Sequence, residues 1–308
     1  MRLVDSHAHL QADAFATDLP AVIEAARAAG VERLLVPGWD AASSVAAVGL
    51  TEQYPGIHAG VGIHPHDAAS ATEADWTAVV SLSVRAQVVA IGETGLDYDR
   101  MHSPRQAQLV NLRRHLRLAL ESGKPAILHC RSAAGERGAQ DDLIAELRAA
   151  GFGGAGSRAA FGDRPPAVLH SFSGPVDYAA AALEMGIAIA FGGLVFRRGE
   201  EASAAVARLV PAGQLLVETD SPFLAPPGVP RGSGAPAPAS EPNVVADAAA
   251  PFGPAPAAAP RFSGRRNSPQ WVRVTAEWLS EQRDESPDSI GESLVAAYDI
   301  TFRRHRTG

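Results

Sequence analysis

The sequence predicts an α/β fold, a TIM-type (β/α)8 barrel. Eight short apolar, β-branched runs recur at residues 3–4, 34–36, 59–63, 88–91, 126–128, 167–169, 187–191 and 215–217, with helix-like stretches between them. That alternation indicates βα repeats and a parallel sheet. Runs that are apolar throughout, rather than at every second residue, suit strands covered on both faces. Several of the runs end in His, Asp or Glu, and the carboxyl ends of the strands are where such a barrel carries its active site. A chain of 308 residues accommodates one barrel of about 250 residues with insertions, so residues 1–308 are expected to form a single domain.

The segments between the runs carry helix punctuation. Asp18 is placed to cap a first helix with Pro20 in its opening turn, and Gly30 follows the last turn. Residues 75–84 read as a helix, as do residues 105–121, where Leu109, Leu112, Leu116 and Leu120 recur at three- and four-residue spacing. Gly123, Lys124 and Pro125 then stop that helix ahead of the fifth strand. Ser268 and Pro269 look like the N-cap and first residue of a helix holding Trp271, Val274 and Trp278. Two stretches fall outside the repeat. Residues 151–166 delay the sixth strand, and residues 226–263 are dominated by Pro, Ala, Gly and Ser, the composition of a flexible insertion at the barrel mouth, with a lid over the site as the alternative.

Composition narrows the chemistry. Cys130 is the single cysteine, so no intramolecular disulfide and no cysteine-rich metal site is possible. Any bound metal must be held by His and carboxylate. The formal charge of −7 argues against a broad basic nucleic-acid-binding face, but not against a nucleic-acid substrate, since bound cations and a few local arginines supply positive potential where it is needed. No run approaches the roughly 18 apolar residues of a membrane span, and the N-terminus lacks the features of a signal peptide. A cytoplasmic location is therefore expected, with no membrane association and no obligate protein partner.

The strand ends hold the informative residues. The first ends in Asp5-Ser6-His7-Ala8-His9, and side chains two apart on extended chain point to one side, so His7 and His9 can reach one ion. The fourth ends around Glu93, the fifth at His129-Cys130-Arg131, the sixth at His170 and the eighth at Glu218-Thr219-Asp220. Five strands ending on the same face in a metal-competent residue are hard to ascribe to accident. Imidazole with carboxylate suits Zn²⁺, Mn²⁺ or Fe²⁺ and accommodates Mg²⁺. Four histidines and two carboxylates exceed the three protein ligands typical of one catalytic zinc. The economical expectation is two divalent cations about 3.5–4 Å apart, bridged by Glu93, one taking His7, His9 and Asp220 and the other His129 and His170. Arg131 follows a ligand directly, and either contacts a substrate phosphate or orders its loop through an ion pair. Cys130 is expected on the opposite side of its strand from His129, and not as a nucleophile.

These segments resemble the TatD family of metal-dependent deoxyribonucleases, within the amidohydrolase-like barrels. The matching motifs are DSHAHL at 5–10, VGIHPH at 61–66, IGETGLDY at 91–98, ILHCR at 127–131, LHSFSG at 169–174, LLVETDSPFLAP at 215–226 and, more weakly, GRRNSP at 264–269. They span nearly the whole chain. The resemblance implies hydrolysis of phosphodiester bonds in DNA, often as a 3′–5′ exonuclease, with two divalent metals (Mg²⁺, Mn²⁺ or Zn²⁺). It implies that His7, His9, Glu93, His129, His170 and Asp220 are the ligands, that Asp220 is also the proton acceptor, and that His64 lies on the substrate side near the scissile phosphate. The family usually carries Glu at Ser268, Asp at Ser132 and a short link where residues 226–263 stand. Two other readings remain open: the same centre acting on an ester or amide, such as a D-aminoacyl-tRNA, and a non-catalytic barrel scaffold.

Overall fold

A computed structural model describes residues 1–230 and 265–302. Eight strands follow one another around a single parallel sheet: β1 (Leu3–Asp5), β2 (Val31–Pro37), β3 (Ile57–Val61), β4 (Val88–Asp97), β5 (Ala126–Arg131), β6 (Ala167–Leu169), β7 (Ala188–Phe191) and β8 (Leu215–Val217). Each pairs with the next in sequence order, as consecutive right-handed βα units require. The expected (β/α)8 architecture is borne out.

The ring is closed by chain just beyond the strands. Ser6 donates its backbone N–H to the Val217 carbonyl at 3.0 Å, Asp220 to that of His7 at 2.8 Å, and His9 to that of Ser221 at 2.7 Å. The Asp5 carboxylate fastens the same seam, accepting from the Thr219 backbone N–H at 3.0 Å and the Thr219 hydroxyl at 2.6 Å. Burial pushes the Asp5 carboxyl up to about 8, against the Thr219 hydrogen bonds.

Strand residues Leu3, Val36, Val61, Ile91, Leu128, Ile189 and Val217 are fully buried, each contributing roughly 1.5–3 kcal/mol through removal from water. Around them lie α1 (Leu19–Ala28), α2 (Ala41–Gln53), α3 (Glu73–Ser83), α4 (Arg105–Ser122), α5 (Gly138–Ala150), α6 (Ala155–Phe161), α7 (Val176–Glu184), α8 (Ala202–Leu209), α9 (Val272–Arg283) and α10 (Pro287–Thr301). The period-3.6 face read from α4 is confirmed in part: Leu112 and Leu116 are buried, whereas Leu109 and Leu120 are partly buried against the core.

Several local expectations are corrected. The third helix starts at Glu73, because Thr72 and Asp75 cap it reciprocally. Asp18 stands at the N-cap of α1 but caps nothing with its side chain; its carboxylate instead takes the Arg266 guanidinium at 2.8 and 2.6 Å. Ser268 likewise makes no side-chain cap, and Pro269 opens a short 3-10 turn that precedes α9. The 151–166 stretch contains the short helix α6. The fourth strand runs six residues past its expected end, to Asp97. Of the expected insertion at 226–263, residues 231–263 lie outside the described residues. Among the described residues, no helix is long and apolar enough to cross a membrane.

Candidate metal centre

Because all eight strands are parallel, the segments that follow them meet at one end of the barrel. The structure gathers there every ligand expected from the sequence, and it adds His64. The arrangement is organised by the two oxygens of Glu93. Toward Oε2 point His7 Nε2 at 3.2 Å and His9 Nε2 at 3.5 Å. Toward Oε1 point His170 Nε2 at 2.9 Å, His129 Nδ1 at 3.2 Å and His64 Nε2 at 3.3 Å. Asp220 joins the first group, its Oδ1 lying 3.5 Å from His9 Nε2 and 3.8 Å from His7 Nε2. The Nε2 atoms of His7 and His9 are themselves 3.1 Å apart, and His170 Nε2 is 3.4 Å from His129 Nδ1.

These separations test whether the residues suit metal. Ligands at 2.0–2.1 Å from one cation lie about 3.0 Å apart on an octahedral edge and about 3.3 Å apart on a tetrahedral one. The donor pairs above cluster around those values. The Nδ1 atoms of buried His7 and His9 have no hydrogen-bond partner among the described residues, so no protein acceptor competes to turn those rings. Three sets of donors meet closely enough to share an ion: His7, His9 and Glu93; His7, His170 and Asp220; His64, Glu93 and His129. The donor set fits divalent cations. His170 lies near enough to group with either neighbour, stacking on His7 with ring centroids 3.9 Å apart.

Electrostatics tell the same story. Burial by itself would push Glu93 up, but the His170, His64 and His7 imidazoles outweigh it and hold the carboxyl well below its ordinary value. Burial would pull His170 down, yet Glu93 and Glu218 hold it well above. Carboxylates and imidazoles gathered this closely favour positive charge at the centre, which a divalent cation would supply.

A surrounding ring of groups orients the donors. His129 faces Glu93 through Nδ1 because its Nε2 lies 3.1 Å from Asp97 Oδ2, an oxygen that also meets His66 Nε2 at 2.9 Å. Asp97 is held in turn by the Asp99 and Arg100 backbone N–H groups at 3.0 and 2.7 Å. Glu218, fully buried, accepts from the Ser171 backbone N–H at 2.5 Å and lies 3.3 Å from His170 Nδ1. Ser171 and Asp220 adopt left-handed backbone, φ 46 and 53, a cost of about 1–3 kcal/mol each that surrounding contacts must offset. Behind His64, α4 grips the end of β3: Asn111 donates to the Ile63 carbonyl at 2.7 Å, and the Ile63 N–H donates to His115 Nε2 at 3.0 Å.

His115 is structural, whereas Asp97, six residues past the apolar run at 88–91, belongs to the centre. The missed signal was continuity of the strand. With β4 extended, Glu93 and Asp97 flank the same His129 ring. Arg131 Nε pairs with Asp99 Oδ2 at 2.7 Å, the loop-ordering alternative. Tyr98 donates to Asp142 at 2.7 Å and Thr94 accepts from Asn111 at 3.3 Å, as packing groups. Ser132 caps the turn into α5, donating to Gln140 at 2.6 Å and accepting from the Ala139 N–H at 2.9 Å.

A family model described as TatD related DNase matches residues 4–303. The chain belongs to the TatD-related DNase family. It is 32% identical to a Bacillus subtilis (strain 168) protein named uncharacterized metal-dependent hydrolase YabD, over 98% of this chain and 99% of that protein. It is 34% identical to a Yersinia pseudotuberculosis protein named 3′-5′ ssDNA/RNA exonuclease TatD, again over 98% and 99%. Among solved structures, YJJV, a TatD homolog from Escherichia coli K12, superposes with a TM-score of 0.76 at 25% identity, covering 98% of both chains.

Proposed function

We propose that the protein is a divalent-metal-dependent hydrolase that cleaves phosphodiester bonds of single-stranded nucleic acid, DNA foremost, from the 3′ end. The observation that carries this reading is the division of histidines between the two oxygens of one carboxylate, His7 and His9 on one and His64, His129 and His170 on the other. The relatives named as exonucleases supply the substrate class.

In this reading Glu93 bridges two subsites, His7, His9 and Asp220 complete one, and His129 and His170 complete the other. Two divalent cations (Mg²⁺, Mn²⁺ or Zn²⁺) held there would lower the pKa of a water and neutralise charge developing on the phosphoryl oxygens. Asp220 is the proton acceptor: its side chain is 14% exposed, the most open of the two carboxylates, and it adjoins the Glu93 Oε2 group. His64 sits close enough to Glu93 to hold a phosphate oxygen beside the cations. Arg131 reaches substrate only by leaving Asp99, so its contribution is smaller than that of His64.

Incubation of the purified protein with 3′- and 5′-labelled single-stranded DNA and each metal in turn tests the proposal. Stepwise loss from the 3′ end that depends on metal is expected, and Glu93→Ala should abolish it. Product formation by that variant at the wild-type rate would sink the reading. Turnover of a D-aminoacyl-tRNA in place of DNA would move the substrate to the ester class, and failure to bind any divalent metal would favour the scaffold.

A further inference from the structure

We propose that Arg197 and Arg198, on the loop that follows β7, form a docking site for the phosphates that neighbour the scissile one, an inference that rests on the nuclease reading above. Four arginines of the same end of the barrel are already engaged: Arg131 and Arg100 with Asp99 at 2.7 and 3.8 Å, Arg137 with Asp141 and Asp177 at 2.8 and 2.9 Å, and Arg266 with Asp18. Arg197 and Arg198 are exposed, and neither has an ion pair or side-chain hydrogen bond among the described residues. The acids beside them are occupied elsewhere. Glu200 accepts from the Ser173 hydroxyl at 2.8 Å, and Glu201 from the Gly199 N–H at 3.1 Å.

The loop is fixed in position on both sides. Ser173, which binds Glu200, lies three residues beyond His170. On the other flank, a Cβ at Gly193 would come within 1.7 Å of the Leu224 carbonyl oxygen, and Leu224 lies four residues beyond Asp220. The two guanidinium groups are therefore carried on a turn packed between the loops that present His170 and Asp220. A polyanion approaching this mouth meets the Glu93, Asp97, Glu218 and Asp220 carboxylates and a chain of net charge −7. Cations at the rim offset that field and raise the rate of encounter. Two adjacent planar forks with no acid to satisfy them match phosphate oxygens better than ammonium groups do.

The test compares full-length wild type, Arg197→Ala/Arg198→Ala and Arg197→Lys/Arg198→Lys on two substrates across a salt series with Mn²⁺. One substrate is a twelve-nucleotide thymidylate and the other is bis(p-nitrophenyl) phosphate, which has no neighbouring phosphates. The double alanine variant should lose at least fivefold in kcat/KM on the oligonucleotide at low salt and nothing on the small diester. Its slope of log KM against log salt should fall by about 1.4, two single-strand phosphate contacts' worth, and the double lysine variant should restore most of that slope. Unchanged oligonucleotide kinetics in the alanine variant would overturn the docking site and leave the nuclease reading intact. Equal loss on both substrates would also overturn it, as damage to the centre. A wild type that neither cleaves nor binds the oligonucleotide would overturn both.

Discussion

Asp97 Oδ2 lies 3.1 Å from Nε2 of His129, and the opposite ring nitrogen of that histidine lies 3.2 Å from Glu93 Oε1. One carboxylate thus fixes which nitrogen of the imidazole is presented to the other. A histidine ligand oriented this way binds metal more tightly than one free to turn. We expect Asp97→Asn to keep the fold, by circular dichroism, and to weaken metal binding about 10–100-fold, as mutation of such supporting partners typically does. Calorimetric titration with Mn²⁺ or Zn²⁺ measures it. Wild-type affinity in the variant would show that the contact is incidental.

Gly95 is aligned with His129 across the β4–β5 ladder, and an added Cβ would stand 2.0 Å from the His129 carbonyl oxygen, on backbone at φ +142. Nothing but hydrogen fits there without moving β5. Gly95→Ala should cost on the order of 3 kcal/mol and lower the thermal midpoint by roughly 5–10 °C, with a loss of metal affinity because His129 shifts with its strand. Scanning calorimetry with and without metal reads both effects.

His115 is buried, with Nδ1 2.8 Å from the Asn111 carbonyl and Nε2 accepting from Ile63. Burial pulls its pKa from 6.5 down to about 4. Between those values the unfolded chain takes up a proton that the folded one refuses. Its contribution is therefore complete above about pH 6.5 and is lost as pH falls toward about 4, a change on the order of 3 kcal/mol. Urea unfolding of wild type and His115→Gln at pH 4.5 and 7 should show a gap between the two proteins that narrows at the lower pH. A constant gap would falsify the assignment.

The Cys130 thiol is pushed up to about 12 by burial. Only a thiolate is nucleophilic, so iodoacetamide at pH 8 should leave the native protein unlabelled and label it fully in urea. Cys130→Ser should retain wild-type hydrolysis. Rapid native labelling, or loss of activity in the serine variant, would overturn the view of this residue as packing.

The barrel and its candidate ligands were readable in the sequence for a physical reason. Fully covered strands produce continuous apolar runs, and a parallel sheet puts every following residue at one end, so His7, Glu93, His129, His170 and Asp220 could be grouped without any distance. What escaped depended on backbone paths that local pattern does not encode. Gly92 and Gly95 interrupt the apolar run of β4 and disguised its extension to Asp97. Asp18 has the chemistry of a helix cap, but Arg266, distant in sequence, competes for the same oxygens and wins with two charge-assisted hydrogen bonds. The family resemblance put His64 on the substrate side of the centre; its approach to Glu93 Oε1 goes with the grip of α4 on Ile63, a tertiary contact with no sequence signature.

The seam between Asp5 and Thr219 also sets the order in which the molecule can be completed. The two partners are 214 residues apart, and each sits within four residues of metal-binding candidates. A chain emerging from the ribosome presents His7 and His9 almost at once, yet Asp220 and the Thr219 stitch arrive only after some two hundred further residues. Such distant closure is slow and entropically costly. The centre therefore matures last, so capture of an ion at full affinity reports that the ring has shut, and truncation before β8 leaves a chain with its first two histidines but nothing to bring them to use.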